Sequence, residues 1–174
     1  HWDVRPDIIT IAKGIASGLP LGLAVAGRDL MQKWTSGAHA NTYGGNPVCC
    51  AAALATLDLV RGEYAENARV IGEHLMKGLN ALAAEFPVIG DIRGRGLMIG
   101  VEFVKDRATR APAKELVKAL TGRAYHNGLL LLTCGASAVR LIPPLMLERG
   151  LADEAMAILR TSLQEALAEG QRKA

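Results

Sequence analysis

Apolar residues along the chain alternate between short β-branched runs and longer stretches with helical spacing. Residues 7–12 form an apolar run that predicts a buried strand, and 23–26 is the nearest segment that could pair with it. Because a buried strand needs neighbours on both sides, we expect a preceding portion of the protein to complete this sheet. Asn46 and Pro47 predict the cap and first residue of a helix, and Gly62 predicts its end.

A second region begins near residue 64, where apolar residues recur every three or four positions and predict a long helix. The irregular mixture of strands and helices that follows favours a small α+β unit. We therefore divide the chain into residues 1–62 and 63–174, the latter entered by the long helix. The further predicted elements are strands at 89–92, 97–104, 129–133 and 139–142, a helix at 114–126 and a final helix with its apolar stripe at Ala155, Met156, Leu159, Leu163 and Leu167.

Composition narrows the class of protein. The chain has 174 residues, 50% of them apolar, and a net charge of +3 from 20 basic and 17 acidic side chains. This length and apolar content suffice for a folded core. So small a basic excess, with 4% aromatic residues, argues against a nucleic-acid partner. No apolar run approaches the ~18 residues of a membrane span, so we expect no membrane partner.

Cysteine and histidine usage points to a cytoplasmic protein without a metal site. Cys49 and Cys50 are adjacent, Cys134 is distant, and the odd count without a C-x-x-C pair predicts reduced, mostly buried thiols. The four histidines are scattered and have no partner at a metal-ligand spacing.

Lys13 is the first candidate for chemistry. It follows the apolar run 7–12 directly, and small residues surround it at Gly14, Gly18 and Gly22. Small neighbours let other groups approach closely, and partial desolvation makes a lysine amine a usable nucleophile toward a carbonyl. The alternative is a lysine that simply reaches into water at a strand end.

The loop at 41–47 is the second candidate. It combines the Thr42 hydroxyl, the pair Gly44 and Gly45, and a helix N-terminus, which together suit a phosphate. The alternative is a glycine-rich loop before a well-capped helix. Glycines also recur at 94, 96 and 100, but their spacing and their place before a strand exclude a dinucleotide fingerprint and predict a turn.

Arg140 is the third candidate, because it lies inside an apolar strand. A buried guanidinium needs an anion, since burying its charge unpaired is costly. A substrate carboxylate or a structural Asp or Glu would both serve. The neighbouring charged residues Lys105, Asp106 and Arg107 predict a solvated turn.

Taken in order, these segments resemble the class III pyridoxal-phosphate-dependent aminotransferases. The last of them is most similar to the 4-aminobutyrate aminotransferase branch. The segments that carry the resemblance are PDIITIAKG at 6–14 with GLPLG at 18–22, TYGGNP at 42–47, RGRGLMIG at 93–100, and GLLLLTCG at 128–135 with VRLIPPL at 139–145.

The resemblance implies an α/β protein of fold type I. Residues 1–62 would be the C-terminal part of the large domain that binds pyridoxal 5'-phosphate, and 63–174 the small C-terminal domain. Lys13 would bond to the cofactor and act as the general base. Thr42 would bind the cofactor phosphate in trans, across a homodimer or higher homo-oligomer, and Arg140 would hold the substrate carboxylate.

The implied reaction moves an amino group from an ω-amino acid, with 4-aminobutyrate favoured, to 2-oxoglutarate. Acetylornithine- or diaminobutyrate-type transaminases, other class III aminotransferases, racemases and a non-catalytic piece of the fold are the alternatives. The family's acidic partner for the pyridine nitrogen, its phosphate loop and its second carboxylate-binding arginine match no segment here. We therefore expect this chain to be a C-terminal fragment that is inactive alone.

Overall fold

The computed structural model describes residues 2–173. They form two compact units, the first ending at Glu63 and the second beginning at Tyr64. Within these described residues, no helix has both the length and the apolar character needed to cross a membrane.

The first unit contains a two-stranded sheet. Strand β1 (Ile8–Ile11) pairs antiparallel with β2 (Leu23–Ala26), which confirms the predicted pairing. The prediction that β1 is buried is wrong for this chain: Ile8 and Ile9 are 56% and 45% exposed. A two-stranded sheet offers its strands little cover, so their apolar side chains stay in contact with solvent.

Helices complete the first unit. A short helix α1 (Arg28–Met31) follows β2, and helix α2 (Pro47–Leu59) follows a loop. The predicted start of α2 is confirmed, because Asn46 Oδ1 accepts hydrogen bonds from the first-turn backbone and Pro47 is the first helical residue. A small core joins α2 to the turn after β1, with Ile15, Ala16 and Ala53 buried.

The prediction that a helix ends at Gly62 is wrong. The helical backbone continues from α2 through a π-helical turn (Val60–Tyr64) into helix α3 (Ala65–Glu85). A glycine ends a helix by adopting a positive φ, and Gly62 has no such φ. A π turn instead holds one additional residue within a continuing helix.

The second unit is built on a four-stranded antiparallel sheet. Its order is β3 (Ile89–Arg95), β4 (Met98–Phe103), β6 (Ala138–Leu141) and β5 (Leu132–Cys134). The strand predicted at 129–133 begins later than expected. The Leu129 N–H donates to the carbonyl of Ala124 at 2.8 Å, so this stretch closes the preceding helix before the chain enters the sheet.

Three helices supply the apolar cover of this sheet: α3, α4 (Lys114–His126) and α5 (Arg149–Lys173). The stripe predicted for α3 is buried from Ile71 to Leu82, whereas Leu159 and Leu163 are the fully buried members of the stripe predicted for α5. Helix α4 has the predicted bounds. Burying each large apolar side chain contributes about 1.5–3 kcal/mol, so this core dominates the stability of the unit. Its most completely buried large side chains are Leu79, Ile99, Val101, Phe103, Leu120, Val139 and Leu163.

The cysteines are free thiols. Cys49 is buried, Cys50 is half-buried and Cys134 is exposed. The expectation of mostly buried thiols is wrong for Cys134, because it lies on β5 at the edge of the sheet.

Candidate active site

Lys13 lies two residues after the last residue of β1, at the first position of a 3-10 turn that runs to Ala16. Its φ is +57°, in the left-handed region. A residue with a side chain pays about 1–2 kcal/mol for this conformation. Such backbone strain persists only where the surroundings enforce it, and it concentrates at functional positions.

The turn that carries Lys13 is fixed to helix α2. Ser17, also left-handed with a φ of +48°, lies 3.0 Å from Thr56 through the two hydroxyl oxygens. Because Thr56 Oγ1 donates its own proton to the carbonyl of Ala52 at 2.9 Å, Ser17 is the donor in this pair. The buried side chains of Ile15 and Ala16 complete the attachment. The amine is therefore presented from an anchored turn.

The surroundings of Lys13 differ from the sequence-based expectation in one respect. Its side chain is exposed, so this chain by itself does not desolvate the amine. The small neighbours are present as expected: a β-carbon added at Gly14 or Gly18 would meet no atom within 4 Å. The space beside the turn is open to another molecule.

Thr42 lies in a tight turn between Asn41 and the start of α2. The Tyr43 N–H donates to Asn41 Oδ1 at 3.0 Å, and the Asn46 N–H donates to the carbonyl of Tyr43 at 3.2 Å. These bonds fold the loop back on itself and leave Thr42 exposed. Its hydroxyl is thus available to an anionic group.

The first N–H groups of α2 are already bonded within the protein, so they are not free donors for the anion site expected here. Asn46 Oδ1 accepts from the N–H groups of Val48 at 3.0 Å and Cys49 at 3.2 Å. The Cys50 N–H donates to the Asn46 carbonyl at 3.0 Å, and Pro47 has no N–H. With these donors occupied, the phosphate prediction depends on Thr42 and its turn.

Arg140 belongs to the second unit and lies in the middle of β6. Its strand neighbour Val139 is fully buried under the helices, so the alternation of a strand places Arg140 on the opposite, outward face. The expectation of a buried guanidinium is therefore wrong. Within the described part of the second unit, no acidic side chain forms an ion pair with Arg140, which leaves a ligand carboxylate open as its partner.

A cavity of about 340 Å³ borders Arg140. Among the described residues that line it, Arg140 alone carries a charge, and the others are apolar side chains that include Leu132, Ile142 and Met156. A guanidinium with apolar neighbours matches a small aliphatic carboxylate, because it can bind the two carboxylate oxygens bidentately.

Sequence reasoning missed the second arginine of this sheet face. Arg93 on β3 donates to the carboxylates of Asp91 and Glu102, the latter at 3.1 Å. These hydrogen bonds, the one to Asp91 foremost, raise the pKa of Arg93 above its ordinary value. The charge of Arg93 is thus compensated within the protein. Asp91 and Arg93 are two positions apart on a strand and so share one face, and this spacing could have predicted their ion pair.

Comparison with known proteins gives a consistent set of matches. The family model "Aminotransferase class-III" matches residues 1–163. A "Probable 4-aminobutyrate aminotransferase" of Bacillus subtilis is 40% identical over 94% of this chain and 38% of its own length. A "Leucine/methionine racemase" of Thermococcus litoralis is 38% identical over 95% of this chain and 38% of its own length.

A solved structure matches in fold as well. A PLP-bound aminotransferase mutant from Vibrio fluvialis superimposes with a TM-score of 0.86 and 31% identity, over 97% of this chain and 39% of the other. The chain therefore spans less than half the length of the proteins that it matches. The mixed α/β architecture expected from the sequence is confirmed.

Proposed function

Since this chain belongs to the class III aminotransferase family, we propose that its protein moves an amino group from an ω-amino acid to 2-oxoglutarate with pyridoxal phosphate. The observation that carries the proposal is Lys13, an amine held on a strained and anchored turn in the family's lysine segment. The family assignment supports the class of reaction. The amino donor, with 4-aminobutyrate favoured, is the finer part of the proposal.

Two groups of the first unit, the Lys13 amine and the Thr42 hydroxyl, suit the aldehyde and the phosphate of the cofactor. When bound, pyridoxal phosphate supplies an aldehyde that condenses with amines and a ring that accepts electrons from the substrate carbon. The Lys13 Nζ would hold the aldehyde carbon, and when freed by the substrate amine it would carry a proton between substrate and cofactor carbons. The Thr42 hydroxyl would donate a hydrogen bond to the phosphate.

We propose that Thr42 acts on the cofactor of a second copy of this chain. Helix α2, which follows Thr42, carries Thr56 and Asp58 as its only polar residues, and Val48 and Leu54 are 66% and 65% exposed. A helix that is apolar on all sides is normally buried. A homodimer would cover these side chains and bring the Thr42 hydroxyl to a neighbouring site.

Arg140 would bind the substrate carboxylate. Both 4-aminobutyrate and 2-oxoglutarate carry a carboxylate on a short aliphatic chain, and the exposed Leu132, opposite Arg140 in the strand register, offers that chain an apolar neighbour on the same face. A bidentate grip on the carboxylate would fix the position of the reacting end.

The test uses the complete protein that contains this chain. Borohydride reduction should attach the cofactor to the peptide that holds Lys13, as measured by mass spectrometry. Lys13→Ala should abolish this attachment and the half-reaction with amino donors. The matched control is Lys33→Ala, which removes another exposed lysine of the first unit and should change neither. Attachment that survives in Lys13→Ala would overturn the proposal.

Racemisation of aliphatic amino acids is the second candidate function. The relative from Thermococcus litoralis bears a racemase name, and the wall beside Arg140 is rich in leucine. The two functions differ in whether the reaction needs a keto acid as second substrate. Conversion of L-leucine to D-leucine without a keto acid indicates a racemase. Dependence on 2-oxoglutarate with 4-aminobutyrate as donor indicates the transaminase.

A further inference from the structure

Gly100 occupies the gap between two arginines on the outward face of the second unit's sheet. In the strand register it lies opposite Arg93 on one side and Arg140 on the other, and Leu132 follows opposite Arg140. Adjacent strands are about 4.8 Å apart, so the strands of the two arginines lie about 10 Å from each other. Between them the sheet presents bare backbone.

The fold does not require a glycine at this position. A β-carbon at Gly100 would meet only the Arg93 carbonyl oxygen, at an ordinary 3.8 Å, and its φ is not positive. Gly94 of the same sheet is different, because its β-carbon would lie 2.3 Å from the Met98 carbonyl oxygen. An interior strand glycine without steric need weakens the strand and often marks the close approach of a ligand.

The groups around Gly100 indicate which ligand could approach. Arg93 is already bound to two carboxylates, whereas Arg140 has no such partner in the described part of the second unit. Two apolar side chains near Arg140 are also turned to solvent: Met98 is 62% exposed and Leu132 69%. A free cation, a bare backbone floor and flanking apolar side chains together match a carboxylate on an aliphatic chain.

We propose that Gly100 is a specificity-determining position of the Arg140 carboxylate site. The missing side chain lets the carboxylate and its first methylene lie against the sheet, within reach of the Arg140 guanidinium. This inference rests on the proposed role of Arg140. A methyl at position 100 would occupy the space of that methylene and weaken binding by about tenfold.

The experiment measures glutarate binding by titration calorimetry and the 2-oxoglutarate half-reaction in the complete protein. Gly100→Ala should weaken glutarate binding and raise KM by about tenfold with kcat within about twofold. Its thermal midpoint should stay unchanged or rise. The matched control is Gly122→Ala on α4, also open to a methyl, which should leave binding and KM unchanged.

Unchanged glutarate binding in Gly100→Ala would overturn this inference, as would loss of folding in that variant. The variant Arg140→Lys tests the proposed role of Arg140 separately from the inference about Gly100, because a lysine cannot reproduce the bidentate contact with a carboxylate. If Arg140→Lys binds glutarate like the original protein, the proposed role of Arg140 and the inference both fail. If Arg140→Lys weakens binding and Gly100→Ala does not, only the inference fails.

Discussion

Gly72 on helix α3 touches the backbone of Gly96 in the turn between β3 and β4. A β-carbon at Gly72 would lie 2.2 Å from the Gly96 carbonyl oxygen and 2.7 Å from its α-carbon. Gly96 itself needs a positive φ of 54° to make the turn. The helix and the turn therefore meet backbone to backbone, and no side chain fits between them.

Gly72→Ala should destabilise the protein by about 2 kcal/mol, because the helix must move away from the turn to admit a methyl. The measurement is the free energy of unfolding in urea. Gly122→Ala is the control: it places the same methyl on an open helix position and should be neutral or stabilising by up to about 1 kcal/mol. Equal effects of the two substitutions would contradict the close contact.

Lys13→Gly should make the protein about 1 kcal/mol more stable than Lys13→Ala, because glycine adopts the left-handed backbone without steric cost. Both variants lack the amine and should lose the transferase activity that we propose. The measurement is urea unfolding of the two variants side by side. A glycine variant no more stable than the alanine variant would show that position 13 stores no strain.

The stretch 105–107 is more than the solvated turn that its charges predict. Arg107 donates three hydrogen bonds to backbone carbonyls: to Ala83 at 2.6 Å, to Pro87 at 3.0 Å and to Ile89 at 3.0 Å. Ala83 lies in the last turn of α3, where helical carbonyls lack intrahelical partners, Pro87 lies in the connection, and Ile89 is the first residue of β3. Arg107 therefore fixes the end of the helix to the first strand.

Arg107→Ala should cost about 1–3 kcal/mol of unfolding free energy, since three carbonyls lose a charged donor. Arg107→Lys should recover only part of this loss, because one ammonium cannot span all three oxygens. The control is Arg110→Ala, an exposed arginine three residues further along the chain, which should change stability by less than about 0.5 kcal/mol. Unfolding curves of the three variants decide between them.

Local patterns predicted much of the fold. The bounds predicted for α4 agree with the structure, and Asn46 with Pro47 indicated the start of α2, because capping signals act within the first helical turn. The continuation through Gly62 could not be predicted in this way. The same glycine is compatible with a helix end or a helix interior, and the surrounding structure decides which φ it adopts.

The roles of Lys13, Thr42 and Arg140 stay predictions, and the sequence does not predict the environment of these side chains. Arg140 was found from its apolar strand, yet its exposure follows from which face of the sheet the helices cover, and a single strand does not contain that information. The row that joins Arg93, Gly100 and Arg140 depends on register among three strands that are distant in sequence. Such non-local pairings leave no local pattern to recognise.

Asp106 should make stability depend on pH at the acidic end. Its carboxylate accepts a hydrogen bond from the Thr109 N–H at 2.8 Å, and this bond lowers the pKa of Asp106 below its ordinary 3.8. A carboxyl whose pKa is lower in the folded state stabilises the fold above its unfolded pKa, and this stabilisation is lost as the pH falls through the folded pKa.

Asp106→Asn should therefore be less stable than the original protein at pH 7. The two unfolding free energies should converge as the pH falls through the folded pKa of Asp106, below which the carboxylate is protonated in both states. Asp106→Glu keeps the charge but moves the oxygens away from the Thr109 N–H, so it should behave like Asp106→Asn; a glutamate variant with the original pH profile would assign the effect to charge alone.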